Sequence, residues 1–267
     1  IRDNNAATLN IQASALQLVA DANSNNAGQI GDADTGNGNV LANVNAIDTQ
    51  VTTLAAQSAD GIYVLEADAL FVDLTGVISV EQVNFNSTET TVTDVTLSDL
   101  TTTDTGQIKV VTLAGTLTVN EGDVDDSGVS AGGAGDVLLE ARGAGSDLVL
   151  NADVASVSGN ITLTAADDVD GNADIATGGG TLLVTAANAT LGTSPNDGIN
   201  LAGGTSITTG GGNVRLVATG EADVFLNLVN AGAGDVSVRA DRDIRDNNAA
   251  ALNIQAGAVQ LVADANS

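Results

Sequence analysis

Asp167, Asp168, Asp170 and Asp174 place four carboxylates within the eight residues DDVDGNAD. Carboxylates crowded into a Gly- and Asn-rich turn offer oxygen ligands to a hard cation, and calcium is the cation such loops take. Glu121, Asp123, Asp125 and Asp126 form a second cluster of the same kind. DADTGNGN, at residues 32–39, partly echoes an acidic calcium loop, but neither it nor DDVDGNAD completes the twelve-residue pattern with its closing Glu. Paired carboxylates also hydrolyse glycosidic bonds, at a separation that spacing along a chain does not show. Such a site would gain from an arginine nearby, and Arg142 and Arg215 are the candidates. Sugar platforms favour exposed aromatics, and Tyr63, Phe71, Phe85 and Phe225 are the whole supply in 267 residues. The expectation is therefore no enzyme.

Other chemistries are excluded by composition. The chain has no His and no Cys, so Ser–His–Asp and Cys–His catalysis, His- or thiolate-based metal sites and disulfides are all absent. The only lysine, Lys109, lies in no phosphate-binding loop and is too solitary for a general scheme of Lys–Asn cross-links. Three glycosylation sequons start at Asn86, Asn160 and Asn188, which chance supplies in a chain this rich in Asn and Thr. A net charge of −27 opposes binding to nucleic acid or anionic membrane. No apolar run approaches membrane-spanning length. Asp, Asn and Gly are also what tight turns need, so most of this acidity reads as turn chemistry, with specific ion sites as the alternative.

The elements that carry these corners repeat. GDVLLEA starts at Gly135, GNITLTA at Gly159, GTLLVTA at Gly180, GNVRLVA at Gly212, GDVSVRA at Gly234 and GAVQLVA at Gly257, in steps of 24, 21, 32, 22 and 23. The longest step holds the only proline, Pro195, in GTSPNDG, which reads as a loop insertion. Gly supplies the backbone freedom of a corner, and alternating apolar residues make a strand with one buried face. A closing Ala fits where a larger side chain would crowd the core. Each unit of about 22 residues thus holds two or three short strands and cannot bury its own apolar face alone. Stacked units can, with Val on Val and Leu on Leu.

The fold predicted is all-β, a parallel β-helix, continuous over residues 1–267. A narrow core of Ala, Val, Leu and Ile explains the near absence of aromatics. Residues 61–80 and 106–119 follow the same grammar more loosely, and the Thr-rich stretch 86–106 suits exposed strand faces. Residues 25–39 read as a loop, and 39–57 as strands in preference to a helix. Tandem β-sandwiches are the rival fold, disfavoured by the missing core aromatics and turn prolines. A calcium β-roll is rejected, because GGAGDVLLE at Gly132 misplaces its Asp and does not recur every nine residues.

Residues 1–24 return at 244–267, with only Thr8/Ala251, Ser14/Gly257 and Leu16/Val259 different. The offset of 243 residues predicts a window on a longer tandem array, with residues 1–243 as one copy and 244–267 as the start of the next. At 22 residues per coil, one copy would hold about eleven coils and rise about 50 Å. An open coil presents unpaired strand edges, so separate chains are expected to stack head to tail.

GNITLTAADDVDGNADIATGGGTLLVTA resembles the repeats of filamentous-haemagglutinin-like proteins, the giant bacterial surface and secreted adhesins. ADGIYVLEADAL and GDVSVRADRDIRDNN are similar to long-repeat members of that group. The resemblance covers residues 100–267 best and carries no catalytic motif. It implies a right-handed β-helix, an extracellular or cell-surface location, and a stalk, adhesin or filament. Its partners would be further copies of itself or cell-surface glycans.

Overall fold

Period-two alternation buries every second side chain, and the coils stack those side chains into columns. The computed structural model describes residues 1–4, 8–21, 27–33, 45–188 and 197–265. It is an all-β parallel β-helix with three faces, and no helix occurs among the described residues. One sheet system of 25 strands closes on itself, and every pairing within it is parallel; a separate antiparallel pair makes a hairpin.

The first face stacks Gly61–Glu66, Gln107–Thr112, Val137–Ala141, Ile161–Ala165, Leu182–Ala186, Val214–Ala218, Val236–Ala240 and Val259–Val262. The second runs from Leu70–Val72 through Leu148–Leu150 and Val169–Gly171 to Ile244–Asp246. The third runs from Leu100–Thr102 through Asp153–Ser156 and Ile175–Thr177 to Ile254–Gln255. Register places Val137, Ile161, Leu182, Val214 and Val236 in successive contact, reproducing the steps of 24, 21, 32 and 22 seen in the sequence. Leu139, Leu163, Val184, Leu216 and Val238 form the next column, each fully buried. The columns mix Val, Leu and Ile, because any aliphatic side chain of this width fills the layer.

The closing alanines Ala141, Ala165, Ala186, Ala218 and Ala240 stack as expected. The glycines need a different explanation from backbone freedom. Gly135, Gly159, Gly180, Gly212 and Gly234 do not have positive φ. They are required by close approach: a Cβ on Gly180 would lie 1.9 Å from the Gly159 carbonyl oxygen, and one on Gly159 would lie 2.1 Å from that of Gly135.

The first third departs from the 22-residue coil. Ile47–Ser58 is a single twelve-residue strand, not a helix, and pairs in turn with strands of all three faces. Within the segment read as a loop, Gln29–Ile30 is a short strand paired with Gly61 and Ile62. The Pro195 loop lies outside the described residues, as does DADTGNGN from Asp34 on.

Between the second and third faces the chain leaves the coil as a hairpin, Ile78–Val83 against Glu89–Asp94. The Thr-rich stretch is therefore partly this exposed arm, with Phe85 fully exposed at its tip. Its base is closed by Thr75 and Leu97, and Gln17 donates to Thr75 Oγ1 at 2.8 Å. None of the hairpin's own residues is buried. Replacing residues 78–94 by an Asn-Gly turn should leave the melting temperature within about 3 °C of the parent. A larger loss in thermal denaturation would show that the arm supports the coil.

The two copies of the 24-residue segment fold differently. Ile11–Val19 is one continuous strand laid along Thr49–Gln57. Its copy breaks into Ile254–Gln255 and Val259–Val262, with a corner at Gly257. Eight stacked pairings separate Ile11–Val19 from Ile254–Gln255. The rise of one copy is thus about 40 Å rather than 50 Å, at about 4.8 Å per coil. The hairpin and the 32-residue step from Leu182 to Val214 lengthen individual coils, so fewer of them fit the copy.

Candidate functional site: the acidic corners

At the corners that lead into each of the three faces, aspartate and asparagine side chains join one coil to the next. Entering the first face, Asp136 Oδ1 accepts the Asn160 N–H at 2.9 Å, and Asn160 Oδ1 accepts the Thr181 N–H at 2.9 Å. Entering the second, Asp147 Oδ1 accepts the Asp168 N–H at 3.2 Å, and Asp168 Oδ1 accepts the Gly198 N–H at 2.6 Å. Entering the third, Asp153 Oδ1 accepts the Asp174 N–H at 2.9 Å, and Asp174 Oδ1 accepts the Ser206 N–H at 2.7 Å. Beside them, Asp73, Asn120, Asn151 and Asn172 form a side-chain ladder with steps of 2.9, 3.0 and 3.0 Å. A backbone N–H at a corner has no strand partner, so a short polar side chain one coil away satisfies it.

The four carboxylates of DDVDGNAD do not form one group. Asp167 and Asp168 come together with Asp147 of the preceding coil, with one ligand atom from each within 4.8 Å of the others. Asp170 is at the centre of Val169–Gly171 and accepts from Asn200 at 3.4 Å, and Asp174 belongs to the next corner. Asp147 was legible in principle, because it precedes Leu148 as Asp168 precedes Val169, 21 residues on.

Burial pushes the Asp168 carboxyl up to about 7, with the Gly198 N–H opposing and the charges of Asp167, Asp147 and Asp197 adding. Burial likewise raises Asp147, against the Asp168 N–H and with help from Asp167 and Asp170. Asp223, nearly fully buried, is the contrast. Burial alone would raise it, but Arg242 at 2.7 Å, the Asp243 N–H and Arg245 at 3.1 Å hold it below the usual range.

In the second cluster, Asp123 and Asp125 meet Asp99 of the preceding coil, and Glu121 and Asp126 lie outside that group. Arg142 is held by Glu140 at 2.8 Å, and Arg215 donates to Ser237 at 3.3 Å.

Two features escaped the sequence reading. A hydroxyl three residues before a motif glycine bridges the corner: Ser156 Oγ donates to the Gly135 carbonyl at 2.8 Å, and Thr177 Oγ1 to that of Gly159 at 2.8 Å. Its signal, Ser or Thr at a fixed distance before Gly, is present in SVSG and TGGG. The other is Glu66, which is fully buried in the column that alanines occupy elsewhere. Thr49 Oγ1 donates to it at 2.7 Å and the Val51 N–H at 3.1 Å, tying Ile47–Ser58 to Gly61–Glu66. Burial raises its pKa against those bonds.

Comparison with protein-family models, curated proteins and solved structures finds no match.

Proposed function

We propose that this chain is a non-catalytic structural segment that lengthens a rod by adding coil on coil. The single observation that carries the reading is the double use of the 24-residue segment. One copy lies against Ile47–Ser58, and the other lies against Leu228–Asn230 and Val236–Ala240. A copy standing between two repeats has a strand to pair with on either side, and because the straight and the bent path cannot both hold at once, one of them gives way there. Val259 and Leu261 continue the columns of Val236 and Val238, so a coil stacked on that face is held by the same burial, at about 25 cal/mol per Å² of apolar surface. The acid corners keep rods apart and soluble.

The setting we infer is an exported stalk, adhesin or filament, and its support is the family resemblance. Electron micrographs of concentrated protein should show thin filaments that shorten in Leu261→Asp. Monodisperse monomers at every concentration would overturn end-to-end stacking.

A second reading, lateral binding of cell-surface glycans, is favoured by one observation. The hairpin is a non-repeating arm with an exposed aromatic, Phe85, at its tip. Glycan retention lost in Phe85→Ser would support it, and no retention by the parent protein would remove it.

A further inference from the structure

At the corner where the chain returns from the hairpin to the third face, an aspartate stands in the capping position without making the coil-to-coil cap. Asp99 directly precedes Leu100–Thr102, as Asp174 precedes Ile175–Thr177. Asp174 caps a backbone N–H of the next coil. Asp99 does not, because the next coil carries an extra residue at Gly128, and the Ser127 N–H turns to Asp125 Oδ1 at 2.8 Å. Asp99 is 6% exposed, and its buried Oδ1 has no hydrogen-bond partner. Its other oxygen accepts only Ser98 Oγ at 3.1 Å, and Ser98 Oγ also lies 3.0 Å from Asp123 Oδ2.

Asp99, Asp123 and Asp125 each bring an oxygen within 4.8 Å of the others. Glu121 is near enough for its charge to act on Asp99; its Oε1 accepts the Asp123 N–H at 2.9 Å and its Oε2 is buried without a partner. No ion pair compensates these four carboxylates among the described residues. Burying an unpaired carboxylate oxygen is costly, and several like charges around it add to the cost. Burial, resisted by Ser98 and increased by Asp123, Asp125 and Glu121, pushes Asp99 up to about 6, so a cation that binds there displaces a proton or fills a deficit.

We propose that Asp99, Asp123 and Asp125, with Glu121 beside them, bind a calcium-sized divalent cation that ties the base of the hairpin to the next coil. The donor set is all oxygen, and three of the four residues lie in the short segment between Leu117–Val119 and Ser127–Ala131. Flexible carboxylate loops of this kind suit calcium, which takes six to eight oxygens and tolerates irregular geometry, better than magnesium. The site differs from the Asp147–Asp167–Asp168 group in holding a buried carboxylate oxygen, Asp99 Oδ1, that has no hydrogen-bond partner. It stands independently of end-to-end stacking.

The test is calcium titration of the whole chain by calorimetry, with melting curves in 10 mM calcium chloride and in EDTA. The expected result is one saturable site per chain with a Kd on the order of 0.1–1 mM, and a melting temperature about 5 °C higher in calcium. Asp99→Asn tolerates the backbone, which has φ +64 there, and should abolish both effects. Asp123→Asn supplies a second variant if the first folds poorly. Asp168→Asn should leave both effects in place. An equal calcium shift in Asp99→Asn and Asp123→Asn would assign the effect to general screening of the acidic surface and overturn the proposal. So would the absence of a saturable site in the parent chain.

Discussion

Replacing Gly180 by alanine is expected to destabilise the coil by about 3 kcal/mol, while the same change at Gly179 leaves it unharmed. The two glycines are neighbours in one corner, so composition and local flexibility are matched. Neither has a positive φ, so backbone preference does not separate them. Space does. A Cβ at Gly180 meets the Gly159 carbonyl oxygen at 1.9 Å and its carbon at 2.4 Å, whereas a Cβ at Gly179 meets nothing within 4 Å. The obstruction is backbone in a hydrogen-bonded column, so it has no side chain to rotate away. Relief requires opening the ladder between two coils. For a chain of this size the loss corresponds to a fall in melting temperature of roughly 10 °C. Gly179→Ala should be neutral or raise it slightly, by restricting the unfolded chain. Equal melting curves for the two variants would remove the close-packing account of the glycine column.

Acidification is expected to stabilise this protein between pH 8 and pH 5. Asp168 is the leading reason. Its carboxyl is raised from 3.8 to about 7 in the folded state. A raised carboxyl contributes its full stability below the unfolded pKa and loses it as pH climbs through the folded value. The folded state thus binds more protons between about pH 4 and 7, and folding weakens as that proton leaves. Asp48, raised to about 6 by burial and Asp3, acts in the same direction. Glu66, Asp147, Asp153 and Asp170 are also raised, chiefly by burial. Asp123, Asp223 and Asp246 are lowered, so they are ionised in both the folded and the unfolded chain between pH 5 and 8 and lose their contribution only at lower pH. Within the window the raised groups act alone, and a net charge of −27 adds general repulsion at high pH. Asp168→Asn separates the local effect from the general one. The amide oxygen still accepts the Gly198 N–H, but no charge develops. At pH 8 the variant should be more stable than the parent by about 2 kcal/mol. Its melting temperature should vary less between pH 5 and 8. Parallel pH profiles for parent and variant would show that Asp168 is not the titrating group.

These expectations rest on features of unequal legibility. The period of the first-face strands was readable because each coil repeats one problem: an apolar stripe, a closing Ala and a Gly that must touch its neighbour. The step sizes therefore survived into the register unchanged. The reason given for Gly did not survive, because a sequence shows that Gly is needed without showing whether angle or space requires it. The hairpin was seen only as Thr-rich exposed strand, since an antiparallel arm outside the core follows the same alternation as a coil strand.

The acidic sites were half-readable for a related reason. DDVDGNAD looks like one cluster along the chain, but strands point neighbouring residues to opposite faces and corners divide the rest. The groups that form are vertical, joining Asp147 to Asp168 and Asp99 to Asp123. The first pair keeps the 21-residue period and was findable. The second is interrupted by the hairpin, which breaks the period just before Asp99.

By itself the sequence determined the coil period, the aliphatic columns and the acidic corners, and it favoured a stack of thin parallel coils over tandem β-sandwiches. A unit of about 22 residues cannot bury its own apolar stripe, and stacked units can. What only the tertiary structure decided is how one sequence behaves beside two different neighbours. Residues 11–19 and 254–262 differ only at Ser14/Gly257 and Leu16/Val259. The first lies on the unbroken strand Ile47–Ser58 and is drawn out straight along it. The second lies over the corner between Leu228–Asn230 and Val236–Ala240, and the Gly257 N–H donates to the Gly234 carbonyl at 2.8 Å, bending it there. A strand takes the path that satisfies its ladder bonds, and those bonds belong to the neighbouring coil as much as to the strand itself.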